Sequence, residues 1–233
     1  MFWFKNKIIP VDFHGFTDCH SHILPGVDDG VRTLDDSLLI LQRYEQMGIT
    51  EVFLTPHVMQ DVPNTSSDLR KRFAEFKKAY SGPIKLHLAA EYMLDPNFEK
   101  LLEHDDLLLH GETGRRVLIE TSYLNPPSDM EDIIFRLQAA GYEPILAHPE
   151  RYVYMEDSDY PALKDKGILF QMNLGSLAGI YGSKIKSRAL RLLRKGMYDM
   201  AGSDIHRPSM TDAFLSIKLD RGLALPGKAV PGA

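Results

Sequence analysis

Two periods alternate along this chain. Short runs of apolar, β-branched and aromatic residues read as strands, and between most of them apolar residues recur at helical spacing. The strands predicted this way cover residues 17–22, 50–55, 84–90, 116–119, 143–147, 167–172 and 198–203. The first helix is predicted over 34–47: Thr33 caps it, Leu34, Leu38, Leu41 and Met47 keep the stripe, and Gly48 stops it. Further helices are expected over 68–80 (capped by Ser66 or Ser67), 95–104, 129–140 (closed by Gly141), 160–166, 184–195 (closed by Gly196) and 209–225. Strands alternating with helices call for a parallel sheet with crossover helices. With no composition break and no long linker, residues 1–233 read as one domain. It would carry a short N-terminal extension (1–15) and a frayed, Gly/Pro-containing tail (226–233).

Where the strands end decides between two α/β architectures. Six of the seven finish on a residue able to ligate a metal: His20 and His22, His57, Glu91, Glu120, His148, and Asp204 with His206. A closed β/α barrel places its chemistry at the C-terminal ends of all its strands. An open doubly wound sheet gathers it at one switch point. The even spread favours the barrel.

His20 and His22 are two apart on a strand and so share a face, as does Asp18, which fits a partner orienting a ligand histidine. By the same parity Cys19 faces the core. Asp28 or Asp29 from the first loop completes the set. Imidazoles mixed with carboxylates suit Mn²⁺, Fe²⁺ or Zn²⁺ better than Mg²⁺ or Ca²⁺. Nine ligands exceed one ion's need, so two or three ions are expected, with a bound hydroxide available at neutral pH. His87 lies deeper, and His14, His104 and His110 lie away from strand ends, as surface or loop residues.

Composition narrows the function. The chain is 44% hydrophobic and 25% charged, an ordinary globular balance. Its net charge of −5 argues against nucleic acid as a partner held by bulk attraction. No run approaches a membrane span and Met1–Lys7 lacks a signal peptide's apolar region, so a cytoplasmic location is expected, with that segment packed on the barrel. Arg151 and Arg207 stand beside the metal-ligand candidates and offer planar forks for phosphate oxygens. Metals with arginines favour phosphoester hydrolysis, and a phenolate leaving group, parent pKa about 10, needs little acid assistance. A cysteine-nucleophile phosphatase requires Cys-x5-Arg, but Pro25 stands at that spacing from Cys19. The basic helix bearing Lys184, Lys186, Arg188, Arg191, Arg194 and Lys195 reads as a solvated face, with docking of an acidic kinase tail as the alternative.

The stretches Asp18–Gly30 (D-C-H-S-H-I-L-P-G-V-D-D-G), Thr55-Pro56-His57, Ala90-Glu91, Ile119-Glu120, Ala147–Tyr152 (A-H-P-E-R-Y) and Gly202–His206 (G-S-D-I-H) together resemble the PHP (polymerase and histidinol phosphatase) superfamily. The branch they resemble is that of the bacterial manganese-dependent protein tyrosine phosphatases encoded with capsular or exopolysaccharide genes. The resemblance implies a distorted seven-stranded (β/α)7 TIM-like barrel and a three-metal site. Its ligands would be His20, His22, Asp29, His57, Glu91, Glu120, His148, Asp204 and His206. It implies Mn²⁺ as cofactor, with iron or zinc as alternatives, and Arg151 as a phosphate-binding catalytic arginine. The substrate would be a tyrosine autokinase, which could bring the protein to the inner face of the membrane. The family's second catalytic arginine lies several residues beyond the D-x-H pair, whereas here Arg207 directly follows His206. The alternatives on the same scaffold are hydrolysis of a small phosphomonoester such as histidinol phosphate, an exonuclease, and a non-catalytic, metal-stabilised partner of polysaccharide assembly.

Overall fold

A computed structural model describes residues 8–111 and 115–226, so the expectations for Met1–Lys7 and for most of the tail lie outside the described residues. The chain begins with β1 (Ile8–Pro10) and β2 (Thr17–Ser21), then α1 (Leu34–Met47), β3 (Glu51–Leu54), β4 (His57–Val58) and α2 (Ser66–Ala79). It continues through β5 (Lys85–Leu88), β6 (Glu91–Met93), α3 (Pro96–Glu103), β7 (Arg116–Glu120), α4 (Met130–Ala139) and β8 (Glu143–Ala147). A 3-10 turn (Pro149–Arg151) leads to α5 (Asp159–Asp165), β9 (Leu169–Asn173), α6 (Leu174–Ala178), α7 (Ser183–Arg194), β10 (Met200–Gly202), α8 (Met210–Leu215) and β11 (Lys218–Asp220).

Local signals account for the best-defined helix. Thr33 accepts the amide of Asp36, two acidic residues occupy the first turn, and Gly48 closes α1 at φ 80°, a conformation that costs glycine little. The cap of α2 is Thr65 rather than Ser66 or Ser67, because Thr65 Oγ1 accepts from Asp68 N.

Nine of these eleven strands form two parallel sheets, β2-β3-β5 and β10-β9-β8-β7-β6-β4. They are parts of one distorted, incompletely closed barrel. β3 lies on the strand expected over 50–55, and β4 begins just beyond it, after a break at Thr55-Pro56 where proline has no amide to donate. β5 likewise lies on the strand expected over 84–90, which stops at Leu88; after Ala89-Ala90, Glu91 starts β6 in a new ladder with His57 instead of ending a strand. The pairing steps across these breaks through Ala89 N to Leu54 O and Glu91 N to Pro56 O. At the other margin β10 abuts β2, with Asp204 N donating to His20 O and His22 N to Ile205 O.

Strand period then sorts the apolar residues. On β7, Val117 and Ile119 join the large cluster that includes Leu41, Leu137 and Leu192 of the surrounding helices. Leu118 joins a small inner cluster with Cys19, Ile145, Ala147 and Met200. Glu120 shares the side of Leu118, so it stands above that inner cluster at the strand's end. Cys19 is core, as expected, but parity is not the reason. The β2–β3 register slips between Asp18 and Ser21, and the extra residue lets Cys19 join the inner cluster while His20 still reaches the mouth.

The C-terminal region departs from the expected helix over 209–225. After α8 the buried residues Ile217 and Leu219 alternate at strand period, and β11 pairs antiparallel with β1. That pairing joins the first and last strands of the described residues, which no local pattern announces. The short helix α6 was also not anticipated; Asn173 caps it by accepting the amide of Gly175.

Gly202 marks the tightest approach between strands. A Cβ there would lie 2.4 Å from His20 Cβ and 2.7 Å from His20 N. Backbone cannot yield as a flexible side chain can, so Gly202→Ala is expected to cost about 2–3 kcal/mol and lower Tm by about 5–10 °C. Thermal unfolding of the two proteins measures this; an unchanged Tm would show that β10 shifts freely against β2.

Candidate metal centre

Two histidines begin the site, and their outer nitrogens are committed elsewhere. Gln171 Nε2 donates to the carbonyl of Met172, which turns its Oε1 to His20, so His20 Nδ1 donates to it at 2.9 Å. His22 Nδ1 donates to Asp28 Oδ2, also at 2.9 Å. The inner nitrogens therefore both face inward, Nε2 to Nε2 at 3.0 Å. Two neutral imidazoles so tied present lone pairs to the same point, and a cation satisfies both.

The carboxylates close around that point. Glu91 Oε2 lies 3.2 Å from His20 Nε2, 3.3 Å from His22 Nε2 and 3.1 Å from His57 Nδ1, while its Oε1 is 2.9 Å from His148 Nε2. Asp204 Oδ1 is 3.6 Å from His20 Nε2 and 3.3 Å from His22 Nε2. Glu120 Oε1 is 3.1 Å from His57 Nδ1, and Asp29 Oδ1 is 3.5 Å from both His57 Nε2 and His206 Nε2. Three groups could each hold an ion: His22/Asp29/His57/His206, His20/His22/Glu91/Asp204 and His57/Glu91/Glu120. They overlap at His22, His57 and Glu91. His148 lies outside these groups, tied to the cluster through Glu91.

The donor set fits divalent ions on a second ground. His57 Nδ1, Glu91 Oε2, Glu120 Oε1 and His148 Nδ1 are buried without a hydrogen-bond partner. Buried polar atoms left unpaired are costly, and four in one place mark a demand that the protein does not itself meet. The titration behaviour shows the same demand. Burial works against charge on His20, yet Glu91 and Asp204 raise its imidazole to about 9. Burial would also raise the Asp204 carboxyl, but His20 and His22 hold it well below the usual carboxylate range. His206 beside Asp29 holds that carboxyl at about 2. These oxygens call for positive charge, from protons or from metal ions.

Backbone geometry aims two of these side chains. His148 (φ 35°) and Asp204 (φ 52°) follow the ends of β8 and β10 in the left-handed region, which non-glycine residues seldom occupy. Asp204 Oδ2 also accepts from Arg151 Nη1 and Asn173 Nδ2, both at 2.7 Å.

All nine residues expected from the sequence thus surround one mouth. Of the two aspartates in the first loop, Asp29 faces the site and Asp28 stands behind it, accepting from His22 Nδ1 and the amides of His57 and Gly30. Asp18 does not touch an imidazole. It accepts from the amides of His20 and Ser203 and from Tyr44 Oη, and so fixes the β2–β10 junction. The imidazole partner is Gln171, and its only signal was a lone amide inside an apolar strand. His110 is not a surface residue: it is buried, donates Nε2–H to the carbonyl of Cys19, stacks on Phe53, and is pushed by burial down to about 4. His14 and His104 are exposed as expected, and His87 stacks on Phe53 away from the mouth.

The mouth opens into a cavity of about 520 Å³. Arg151 and Arg207 both line it, with Tyr123, Ile180, Tyr181 and Met210 on its walls. Arg207 is exposed; its carbonyl accepts the amide of Met210, and its guanidinium has no hydrogen-bond partner among the described residues. In α7, Arg188 donates to the carbonyls of Glu150 and Tyr152, while Arg191 pairs with Asp157 and Arg194 with Asp220. Those three arginines are occupied within the fold, which leaves the lysines to make a solvated face.

Comparison with known proteins follows this geometry. The sequence profile of the family described as "Capsular polysaccharide synthesis, CpsB/CapC" matches residues 16–218. The chain is 32% identical to the tyrosine-protein phosphatase YwqE of Bacillus subtilis over 197 residues, 81% of this chain and 76% of that protein. It is 28% identical to the tyrosine-protein phosphatase CpsB of Streptococcus pneumoniae over 219 residues, 84% of this chain and 87% of that one. A solved structure from work on YwqE and CpsB of those two species, described as unique metal-dependent tyrosine phosphatases, superposes with a TM-score of 0.77 at 30% identity. The match covers 84% of this chain and 81% of the other.

Proposed function

This chain belongs to the CpsB/CapC family of capsular polysaccharide synthesis, and from that membership we propose that it is a metal-dependent protein tyrosine phosphatase. The observation that carries the reading is the convergence of five imidazoles and four carboxylates at the floor of a cavity lined by two arginines. We assign the ligands as His20, His22, Asp29, His57, Glu91, Glu120, His148, Asp204 and His206. Mn²⁺ is our choice of ion, two or three per chain, ahead of iron or zinc. Divalent ions held there supply Lewis-acid stabilisation of phosphoryl oxygens and a water-derived nucleophile at neutral pH.

The chain's own groups do the rest. Arg151 binds phosphoryl oxygens with the edge of its guanidinium not taken by Asp204, and Arg207 adds positive charge at the rim. Asp204 acts twice, toward the histidines with one oxygen and toward Arg151 with the other. Gln171 and Asp28 hold the ring orientations of His20 and His22. Cys19 takes no part: burial pushes its thiol up to about 12, and it packs below the mouth. A phenolate leaves readily, so the scheme needs no strong general acid. The substrate we infer is a tyrosine autokinase of polysaccharide synthesis. The protein would meet it as a single cytoplasmic domain at the inner face of the membrane; no helix among the described residues is long and apolar enough to cross one.

The discriminating experiment compares kcat/KM for a phosphotyrosine peptide, a phosphoserine peptide and histidinol phosphate with Mn²⁺-loaded protein. Phosphotyrosine is expected to lead by at least about tenfold. A preference for histidinol phosphate would move the assignment to small phosphomonoesters.

A further inference from the structure

Arg151 lies between two tyrosine rings. Its guanidinium carbon is 4.4 Å from the Tyr123 ring centroid and 4.1 Å from that of Tyr181. The two rings are not ring-contact partners among the described residues, so they take different sides of the guanidinium. Both rings are themselves held. Tyr123 stacks on Tyr152 with centroids 6.0 Å apart, and its carbonyl accepts the amide of Val153. Tyr181 Oη accepts from Asn173 Nδ2 at 3.4 Å, the nitrogen that also donates to Asp204. Behind Tyr181, a Cβ on Gly175 would lie 3.0 Å from its Cε2.

The guanidinium is thus flanked by two aromatic rings and held at Nη1 by Asp204, its one hydrogen-bond acceptor among the described residues. What remains is an edge on the cavity that both tyrosines also line. We propose that Tyr123 and Tyr181 are positioning residues, a clamp that presents this edge of Arg151 to the phosphoryl group of the substrate. The inference rests on the phosphatase reading above. A long arginine side chain left free would have to be ordered when phosphate binds; the clamp orders it beforehand, and ring faces attract the cation while leaving its N–H groups available.

Calorimetric titration of inorganic phosphate into Mn²⁺-loaded protein tests the clamp, with p-nitrophenyl phosphate kinetics beside it. Tyr123→Phe and Tyr181→Phe keep the ring faces and are expected to bind phosphate within about twofold of wild type. Tyr123→Leu and Tyr181→Leu keep bulk but lose the faces. Each is expected to weaken phosphate by about tenfold, and to raise KM more than it lowers kcat, with Mn²⁺ affinity unchanged. Gly175→Ala, pressing on Tyr181 from behind, should weaken phosphate in the same direction. Leucine variants that stay folded and bind phosphate like wild type would overturn the clamp, as would a wild type that binds no phosphate. If the wild type hydrolyses no aryl phosphate while the leucine variants still lose phosphate affinity, the phosphatase reading fails and the clamp stands.

Discussion

Glu91→Gln is expected to lower kcat/KM for a phosphotyrosine peptide by about a thousandfold or more, with loss of bound metal. Glu91 is the carboxylate on which the site converges. It lies within 3.3 Å of nitrogens from His20, His22, His57 and His148, and it belongs to two of the three groups able to hold an ion. Glutamine keeps the shape but removes the charge and turns an N–H₂ group toward imidazole nitrogens. Glu91 is also the main group lifting His20 against the effect of burial, so the variant's His20 should titrate lower in the metal-free protein. Metal content and kcat/KM measured on the same preparation check the point. Near-wild-type activity with a full complement of metal would remove Glu91 from the centre of the site.

Arg151→Lys is the second large effect, a loss of about a hundredfold in kcat/KM. Lysine keeps the positive charge but not the planar fork, and it cannot both bond Asp204 and offer a second edge to phosphate. Burial opposes charge on Arg151, yet Asp204 keeps its guanidinium more firmly protonated than usual, so the residue serves as a fixed cation and not as an acid. Metal content should hold, because Asn173 still donates to Asp204 Oδ2. Steady-state kinetics with metal analysis separates this outcome from the first: activity falls and metal stays.

The barrel and the mouth were legible because strand ends repeat. Histidines and carboxylates placed just after apolar runs of strand length leave little choice about where they gather. The details that escaped depend on contacts between distant parts of the chain. β1 and β11 pair across almost the whole sequence, and the strand-period pair Ile217 and Leu219 is absorbed into the helix expected over 209–225 because its partner lies about 200 residues away. Gln171 acts on His20, 151 residues away. His110 resembles any loop histidine until Phe53 and the Cys19 carbonyl enclose it. Parity predicted that His20 and His22 face one way, and they do, but a slip in the β2–β3 register lets Cys19 face inward as well. Asp28 and Asp29 are adjacent and chemically identical; the fold turns one toward His57 and His206 and the other onto His22.

The most direct measurement is hydrolysis of a phosphotyrosine peptide by protein stripped with a chelator and then reloaded with Mn²⁺. Activity should vanish on stripping and return in proportion to the ions bound. Stripped protein that still hydrolyses the peptide, or fully reloaded protein that leaves it intact, would contradict a metal-dependent tyrosine phosphatase.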